Sequence, residues 1–251
     1  MSEISRRQLI TRGLAAAAAG LSGLTAANRI AGRYGLIPPD AGGIYGPGET
    51  LTYAAHRLLT RNSLAREFSR SEISNPPFAN ETWPPRDDFK RLQAGGFRDW
   101  KVSVDGLVAQ TASLSLDDIR RLPVRSQITQ IACEEGWSYV GEFTGTPLAE
   151  VLRAVGVLPQ ARYIVYFSIQ PDWWDSIDMA DAWHPQTLLT YAMNDADLSV
   201  PFGAPLRLRV PRQLGYKSIK YITRLTATDS LEPFGKGNGS SQPDYAWYAG
   251  I

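Results

Sequence analysis

The chain contains one cysteine, Cys133, among its 251 residues. A single cysteine cannot form an internal disulfide, so the hydrophobic core has to hold the fold without covalent cross-links. Hydrophobic residues make up 43% of the chain and charged residues 20%, as in ordinary globular proteins. The net charge of +1 argues against a dedicated nucleic-acid-binding surface, and we expect no nucleic acid partner.

The N-terminal residues 1–31 resemble a twin-arginine export signal. Arg6 and Arg7 precede an uncharged stretch between Arg12 and Arg29 that is rich in alanine and leucine. This stretch is too short and too alanine-rich for a comfortable membrane span. An ordinary amphipathic or disordered N-terminus is the alternative. We expect a periplasmic protein whose signal is either cleaved or kept as a membrane tether.

Residues 32–100 are predicted to be a loop-rich segment. The turn-forming pairs and triplets in it are Gly42-Gly43, Gly46-Pro47-Gly48, Pro76-Pro77 and Pro84-Pro85. A long irregular region in a compact protein is more often functional or wrapped around the domain than idle. We therefore predict one domain, residues 32–251, in which this segment wraps a core of residues 101–251.

Regular structure is predicted from Lys101 onwards. Residues 101–104 alternate and run into Asp105-Gly106, a hairpin signal. Ser115 is expected to cap a short helix through Leu122, with Asp118 at the third helical position.

A second helix is predicted to begin with Thr146 as its cap and Pro147 in its first turn, and to end at Gly156. Three further strands are expected at residues 163–168, 206–210 and 221–227. Strands with a few short helices and no regular βαβ rhythm indicate an α+β fold.

Cys133 follows a strand-like stretch, residues 127–132, and opens the run Cys133-Glu134-Glu135-Gly136-Trp137-Ser138. A lone cysteine after a strand is usually buried core, whereas an accessible thiolate is a soft metal ligand. His56 and His184 are the two histidines, which leaves too few ligands for an ordinary zinc site. From these residues alone, inert core and chemical site both stay open.

Three segments, in this order along the chain, resemble the cofactor-binding segments of the sulfite oxidase superfamily of molybdopterin oxidoreductases. They are residues 133–138 with 143–148, residues 184–189, and residues 203–211 with 215–220. The resemblance covers roughly Arg61 to Thr228. It is greatest to short bacterial members with export signals, such as periplasmic methionine sulfoxide reductase catalytic subunits. The haem and dimerisation domains of animal and plant sulfite oxidases have no counterpart here, which favours a monomer.

The resemblance implies a Mo-molybdopterin cofactor with Cys133 as the ligand of the metal. Arg61 is the implied substrate contact and second catalytic residue. The implied cofactor-binding positions are Asn62, Ala65, Arg66, Cys133, Ser168, Phe202, Arg207, Lys217, Ser218, Ile219 and Lys220. Two of these positions depart from the family pattern: Phe202 replaces an asparagine or histidine, and Ala65 replaces an aromatic residue.

Several of these residues also have an ordinary structural explanation. Arg207 and Arg209 alternate with apolar residues, which is also the pattern of a solvated strand face. Loop lysines such as Lys217 and Lys220 are usually exposed. His184 precedes a proline, where a capping or core histidine is common. The aromatic candidates for the mouth of the site are as suited to packing; they are Tyr139, Trp173, Trp174 and Trp183.

The implied function is an exported molybdenum-cofactor oxidoreductase that transfers an oxygen atom to or from a small S- or N-containing substrate. The sequence has no haem-attachment Cys-x-x-Cys-His, so electrons are exchanged with another protein, for which a membrane cytochrome is expected. Reduction of an oxide is favoured over oxidation of sulfite. Two other classes stay open: a cysteine hydrolase using Cys133 and His184, and a cofactor-free binding module with the same fold.

Overall fold

The computed structural model describes residues 35–41, 46–80 and 86–251. The predicted export signal lies outside these ranges. The helices are α1 (Gly46–Leu59), α2 (Asp87–Ala94), α3 (Leu116–Arg120), α4 (Leu148–Val155) and α5 (Met179–Ala182). The strands are β1 (Lys101–Gly106), β2 (Ala112–Ser115), β3 (Arg125–Ala132), β4 (Ser138–Pro147), β5 (Tyr163–Ser168), β6 (Trp174–Asp178), β7 (Leu188–Met193), β8 (Ala196–Asp197), β9 (Arg207–Arg209) and β10 (Ile222–Thr228). Single 3-10 turns occur at Arg70–Glu72, Val200–Phe202, Gly215–Lys217 and Gly235–Gly237.

Two five-stranded sheets form the frame of the described part of the chain. In the first, the strand order is β2-β1-β10-β5-β6, and only β1 and β10 run parallel. The second has the order β3-β4-β7-β8, with β9 on β7, and all its pairs are antiparallel. Mixed sheets with a few short helices confirm the predicted α+β class.

The main core draws on both sheets and on α4. Leu148, Val151, Leu152 and Val155 recur at helical spacing on α4, and each is at most 4% exposed. Gly156 then adopts a φ of 65°, a left-handed conformation that ends the helix at little steric cost. The predicted α4 face and its stop signal are therefore confirmed.

The start of α4 differs from the prediction by one residue. Thr146 belongs to β4, and its Oγ1 donates to the Ile119 carbonyl at 2.8 Å. Pro147 occupies the cap position. Pairing of β4 with β7 continues through Pro147 and Leu188, so sheet hydrogen bonding overrides the local capping signal.

The predicted loop-rich segment contains two helices, α1 and α2, which the sequence reading missed. Gly46-Pro47-Gly48 indicated a turn but forms the first turn of α1. Proline is tolerated there because the first N–H groups of a helix have no intrahelical partner. In the described residues, no helix combines the length and the apolar character that crossing a membrane requires.

Helix α1 is fixed to the core by a buried ionic cluster. Arg57 donates from Nε and Nη2 to Asp178 at 2.7 and 2.9 Å, and from Nη2 to Asp181 at 2.7 Å. The Tyr53 hydroxyl adds a hydrogen bond to Asp178 at 2.7 Å. The side chains of Arg57 and Asp181 are 5% and 1% exposed, and Arg212 Nη1 lies 3.7 Å from Asp181 Oδ1, so two arginines balance two carboxylates away from water.

Replacing Arg57 with alanine is expected to destabilise the protein by about 3–5 kcal/mol, because two buried carboxylates lose their cation. Urea unfolding of the purified protein measures this change. Arg121→Ala serves as the control: its ion pair with Asp118 is exposed, and its loss is expected to cost about 0.5 kcal/mol or less. Equal losses in the two variants would contradict a structural role for the cluster.

Candidate functional site

Cys133 lies in the tight turn that joins β3 to β4. Its N–H donates to the Trp137 carbonyl at 3.0 Å, and its carbonyl accepts from the Gly136 N–H at 3.1 Å. Gly136 has a φ of 91°, which a side chain would strain. The turn therefore holds a half-buried thiol at a fixed place at the end of a paired hairpin.

Two carboxylates lie next to this thiol. The Cys133 Sγ is 2.9 Å from Glu134 Oε2 and 3.7 Å from Glu135 Oε2. Burial, together with the hydrogen bond to Glu134, raises the pKa of the Cys133 thiol to about 12. The thiol is protonated in this arrangement, and a metal bound to the thiolate takes the place of that proton.

A cleft of about 180 Å³ opens beside Cys133. Six of the predicted site residues line it: Cys133, Phe202, Arg207, Ser218, Ile219 and Lys220. Tyr139 and Trp173, expected at the mouth, line it as well. The structure thus brings together residues from the β3–β4 turn, β9 and the loop that follows Gly215.

Strand β9 supplies two buried arginines. Arg207 is 3% exposed and donates to the Phe202 carbonyl at 3.1 Å and to the Ser218 carbonyl at 2.7 Å. Arg209 is 0% exposed. The alternative explanation of a solvated arginine face is wrong, because both arginine side chains are almost completely removed from water.

The charges of these arginines fit an anionic ligand. Among the described residues, no carboxylate lies within 4 Å of either guanidinium, and the Nε atoms of Arg207 and Arg209 are buried without a hydrogen-bond partner. Burying an unpaired cation is costly, so the part of the cleft wall next to these arginines is suited to a bound anion. A pterin phosphate would balance the charge of the arginines, and the soft metal carried by the same pterin would bind the Cys133 thiolate.

Lys220 and Ser218 complete this wall. The Lys220 ammonium donates to the Pro201 carbonyl at 2.6 Å and to the Asn80 carbonyl. The Ser218 hydroxyl accepts from the Val210 N–H at 3.0 Å, which fixes the loop to the end of β9. A cation and several backbone groups are therefore grouped in the lining of the cleft.

Lys217 and Ser168 lie behind the cleft and not in its lining. The Lys217 ammonium is fully buried in an ion pair with Asp175 at 2.5 Å. The Ser168 hydroxyl accepts from the N–H of Gln170, which itself lines the cleft, at 3.1 Å. The structure gives both side chains a supporting place, and their predicted cofactor contacts stay predictions.

The predicted residues of the N-terminal segment lie elsewhere. Arg61 and Asn62 are exposed, and the Arg61 carbonyl accepts from Arg212 Nη1 at 2.7 Å. Ala65 is held by Gln186, whose side chain bonds both its N–H and its carbonyl. Arg66 is exposed and pairs with Glu72 at 3.4 Å. None of these four residues lines the Cys133 cleft, and their roles stay predictions.

The structure does not bring Cys133 and His184 together as a hydrolase dyad. His184 is buried, its Nε2 lies 3.2 Å from the Ser63 carbonyl, and its Nδ1 accepts from the Gln186 N–H at 3.3 Å. It is not among the residues that line the cleft. A raised thiol pKa is also the opposite of what an activated nucleophile needs. Trp174 and Trp183 also lie outside the cleft lining.

Sequence reasoning missed several residues of the site. Arg209 was noticed only as part of an alternating pattern, which does not show that both faces of the strand are buried. The aromatic lining residues Phe78 and Tyr245 carried no local signal, because they reach the cleft from distant parts of the chain, whereas Tyr216 lies within the resembling segment 215–220 but was not singled out. The rings of Phe78 and Trp137 stack with centroids 5.1 Å apart.

A larger cavity of about 460 Å³ is lined by Arg120, Tyr191 and Asp197, among others. Its charged pair, Arg120 with Asp197 at 2.9 Å, is partly exposed and already neutralised. None of the predicted site residues lines this cavity, whereas six of them line the smaller Cys133 cleft. The Cys133 cleft is therefore the candidate site.

Comparison with known proteins gives a family and two curated relatives. The family model described as "Oxidoreductase molybdopterin binding domain" matches residues 90–233. A putative protein-methionine-sulfoxide reductase subunit YedZ1 from Azospira oryzae is 37% identical over 193 residues, which are 77% of this chain and 70% of that protein. The protein-methionine-sulfoxide reductase catalytic subunit MsrP of Ralstonia nicotianae is 34% identical over 167 residues, 61% of this chain and half of that one.

A solved structure supports the same fold. The sulfane dehydrogenase SoxCD from Paracoccus pantotrophus matches with a TM-score of 0.50 and 22% identity, over 54% of this chain and 40% of that chain. The family match spans Cys133 and the β9 arginines, and it confirms the predicted molybdopterin-binding fold, the Mo-molybdopterin cofactor and the oxidoreductase class. The chain belongs to the family of oxidoreductase molybdopterin-binding domains.

Proposed function

We propose that this protein reduces a small, uncharged S- or N-oxide by oxygen-atom transfer, using electrons from a separate protein. The observation that carries this proposal is the pair of carboxylates, Glu134 and Glu135, beside the Cys133 thiol. They repel an anion such as sulfite and leave a neutral oxide unaffected. The names of the two curated relatives, a putative protein-methionine-sulfoxide reductase subunit and a protein-methionine-sulfoxide reductase catalytic subunit, support reduction over oxidation.

Different residues of the cleft would bind different parts of the cofactor. Cys133 would bind the metal through its thiolate. Arg207 and Lys220, with the backbone around Ser218, would hold the anionic pterin end through charge-assisted hydrogen bonds. When bound, the molybdenum cofactor supplies the two-electron chemistry of oxygen-atom transfer. Lys217 would act from behind, because its ion pair with Asp175 anchors the turn that precedes Ser218.

The aromatic side of the cleft suits an apolar substrate with one polar group. Phe78 stacks on Trp137, and Trp173, Tyr216 and Tyr245 line the same space. Sulfur and methyl groups pack favourably against aromatic rings. Glu135 is fixed among them by the Trp137 indole N–H at 2.7 Å and by the Asn80 amide at 3.1 Å. The sulfur and methyl groups of a methyl sulfoxide suit these rings, whereas its oxygen accepts hydrogen bonds and gains none from the Glu135 carboxylate.

Export and the electron donor are part of the same proposal. The Arg6-Arg7 pattern with its uncharged stretch supports twin-arginine export to the periplasm. The sequence lacks a Cys-x-x-Cys-His haem motif, which supports a separate electron carrier such as a membrane cytochrome. A monomer that docks reversibly with this carrier fits these requirements.

Replacing Cys133 with serine is expected to abolish molybdenum binding and activity, because a hydroxyl is a poor ligand for a soft metal. Elemental analysis and pterin fluorescence after oxidation measure the cofactor on protein from an export-competent, molybdate-fed host. Thermal unfolding checks that the variant stays folded. Wild-type molybdenum content in the serine variant would disprove the ligand assignment, and a wild-type protein without metal or pterin would disprove the proposed function.

Replacing Glu134 with glutamine is expected to raise kcat/KM for sulfite about threefold to tenfold relative to methyl sulfoxides, because one repulsive charge is worth about 1 kcal/mol near water. Steady-state kinetics at low salt measure the ratio, and the effect is expected to shrink at high salt. Asp87→Asn, which removes the charge of a 92% exposed side chain on α2, is the control. An unchanged ratio in the Glu134 variant would contradict charge-based selection.

Replacing Gly203 with alanine is expected to lower both stability and cofactor content. Gly203 has a φ of 106°, and an added Cβ would lie 3.1 Å from the Cβ atoms of Arg207 and Lys220. The backbone strain costs roughly 1–3 kcal/mol, and the contacts would displace two cofactor-facing cations.

Gly237→Ala is the matched control for Gly203→Ala. Its φ is 92°, but the added Cβ meets only a flexible Glu232 oxygen at 3.5 Å. Urea unfolding is expected to show a loss of stability in both variants, whereas molybdenum content falls only in the Gly203 variant. Equal molybdenum content in the two would show that the Gly203 contacts do not matter for the cofactor.

A further inference from the structure

Arg209 is a buried cation that lies behind the cleft wall. Its Nη2 donates to the Gln130 carbonyl and approaches Thr129 Oγ1 at 3.3 Å, and its Nη1 approaches Ser218 Oγ at 3.4 Å. The guanidinium also lies over the Phe143 ring, 5.0 Å from its centroid. Arg209 therefore connects β3, the strand that leads to Cys133, with the loop that carries Ser218.

The charge of Arg209 is not neutralised by the described protein groups. No carboxylate lies within 4 Å in the ranges that the structure describes, and its Nε is buried without a partner. Burial, with the nearby charge of Arg207, lowers the pKa of Arg209 to about 9. An apolar side chain of similar size would pack here without that desolvation cost.

A buried cation can still be favourable if an anion binds close to it. Arg209 does not itself line the cleft, but its Nη1 lies 3.4 Å from the Oγ of Ser218, which does, and Arg207, two residues away on β9, lines the cleft as well. Electrostatic attraction through a buried region is weakly screened and reaches beyond direct contact.

We propose that Arg209 is a positioning residue for the cofactor: it fixes the Ser218 loop to β3 and adds a second buried positive charge behind Arg207. Two guanidiniums then face the anionic end of the pterin, one in contact and one behind. The inference rests on the family assignment of the cofactor and is independent of the substrate proposed above.

The proposal predicts different effects on the protein with and without cofactor. In Arg209→Met, the apoprotein is expected to be about as stable as wild type, because removal of an unpaired buried cation offsets the lost hydrogen bonds to Gln130 and Ser218. The cofactor is expected to be lost on the order of tenfold faster, because its anionic end has lost a nearby charge. Arg209→Lys keeps the charge and is expected to retain cofactor close to the wild-type rate.

The experiment compares full-length protein from a molybdate-fed host with apoprotein from a host that makes no pterin. Molybdenum and pterin per chain are followed during dialysis, and thermal unfolding is recorded for both forms. Arg57→Met is the matched control, since this buried arginine is already paired with Asp178 and Asp181. It is expected to lower stability equally in both forms and to leave the rate of cofactor loss unchanged.

Wild-type cofactor retention in Arg209→Met, or an equal fall in stability of its apo and loaded forms, would overturn the proposal. If Arg209→Met does not fold, Arg209→Gln replaces it, since the amide keeps hydrogen-bonding capacity without charge. Equal retention by the glutamine and lysine variants would then overturn the role of the charge. These readouts do not involve the substrate, so a failure of the sulfoxide proposal leaves them interpretable.

Discussion

The burial of two like charges on one short strand is the constraint on which this site depends. Arg207 and Arg209 point to the same side of β9 because they are two residues apart, and both are removed from water by the strand's neighbours. A fold that needed only stability would place apolar residues there. Binding of an anion next to these two arginines explains why their charges are buried.

The rest of the cleft is arranged around that charge. The β3–β4 turn brings Cys133 to the space beside Ser218 and Gly215, and a Cβ on Gly215 would lie 3.5 Å from the Cys133 Cβ. The close approach of these two chain segments places the Cys133 thiol and the residues that follow Gly215 in the lining of one cleft. Glu134 and Glu135 place negative charge beside the thiol, so the lining of one cleft carries charges of both signs.

Short sequence patterns predicted the elements whose structure depends mainly on residues close to them in the sequence. The Ser115–Asp118 capping box and the apolar face of α4 were read correctly, because hydrogen bonds and periodicity within a few residues determine them. Thr146 was misplaced because pairing with β7 outweighs a capping preference. The resemblance identified the cofactor class and six residues that line the cleft. It did not show that Lys217 is enclosed by Asp175, 42 residues away along the chain, since that contact depends on the folded arrangement.

The two ends of the described chain close on each other. Asp40 accepts from the Trp247 N–H at 2.9 Å, and Glu49 accepts from the Tyr248 N–H at 2.7 Å, at sequence separations of 207 and 199 residues. Contacts between residues so distant in sequence slow folding, because a large loop must close before they form. Helix α1 can therefore dock fully only after residues 247 and 248 have been synthesised.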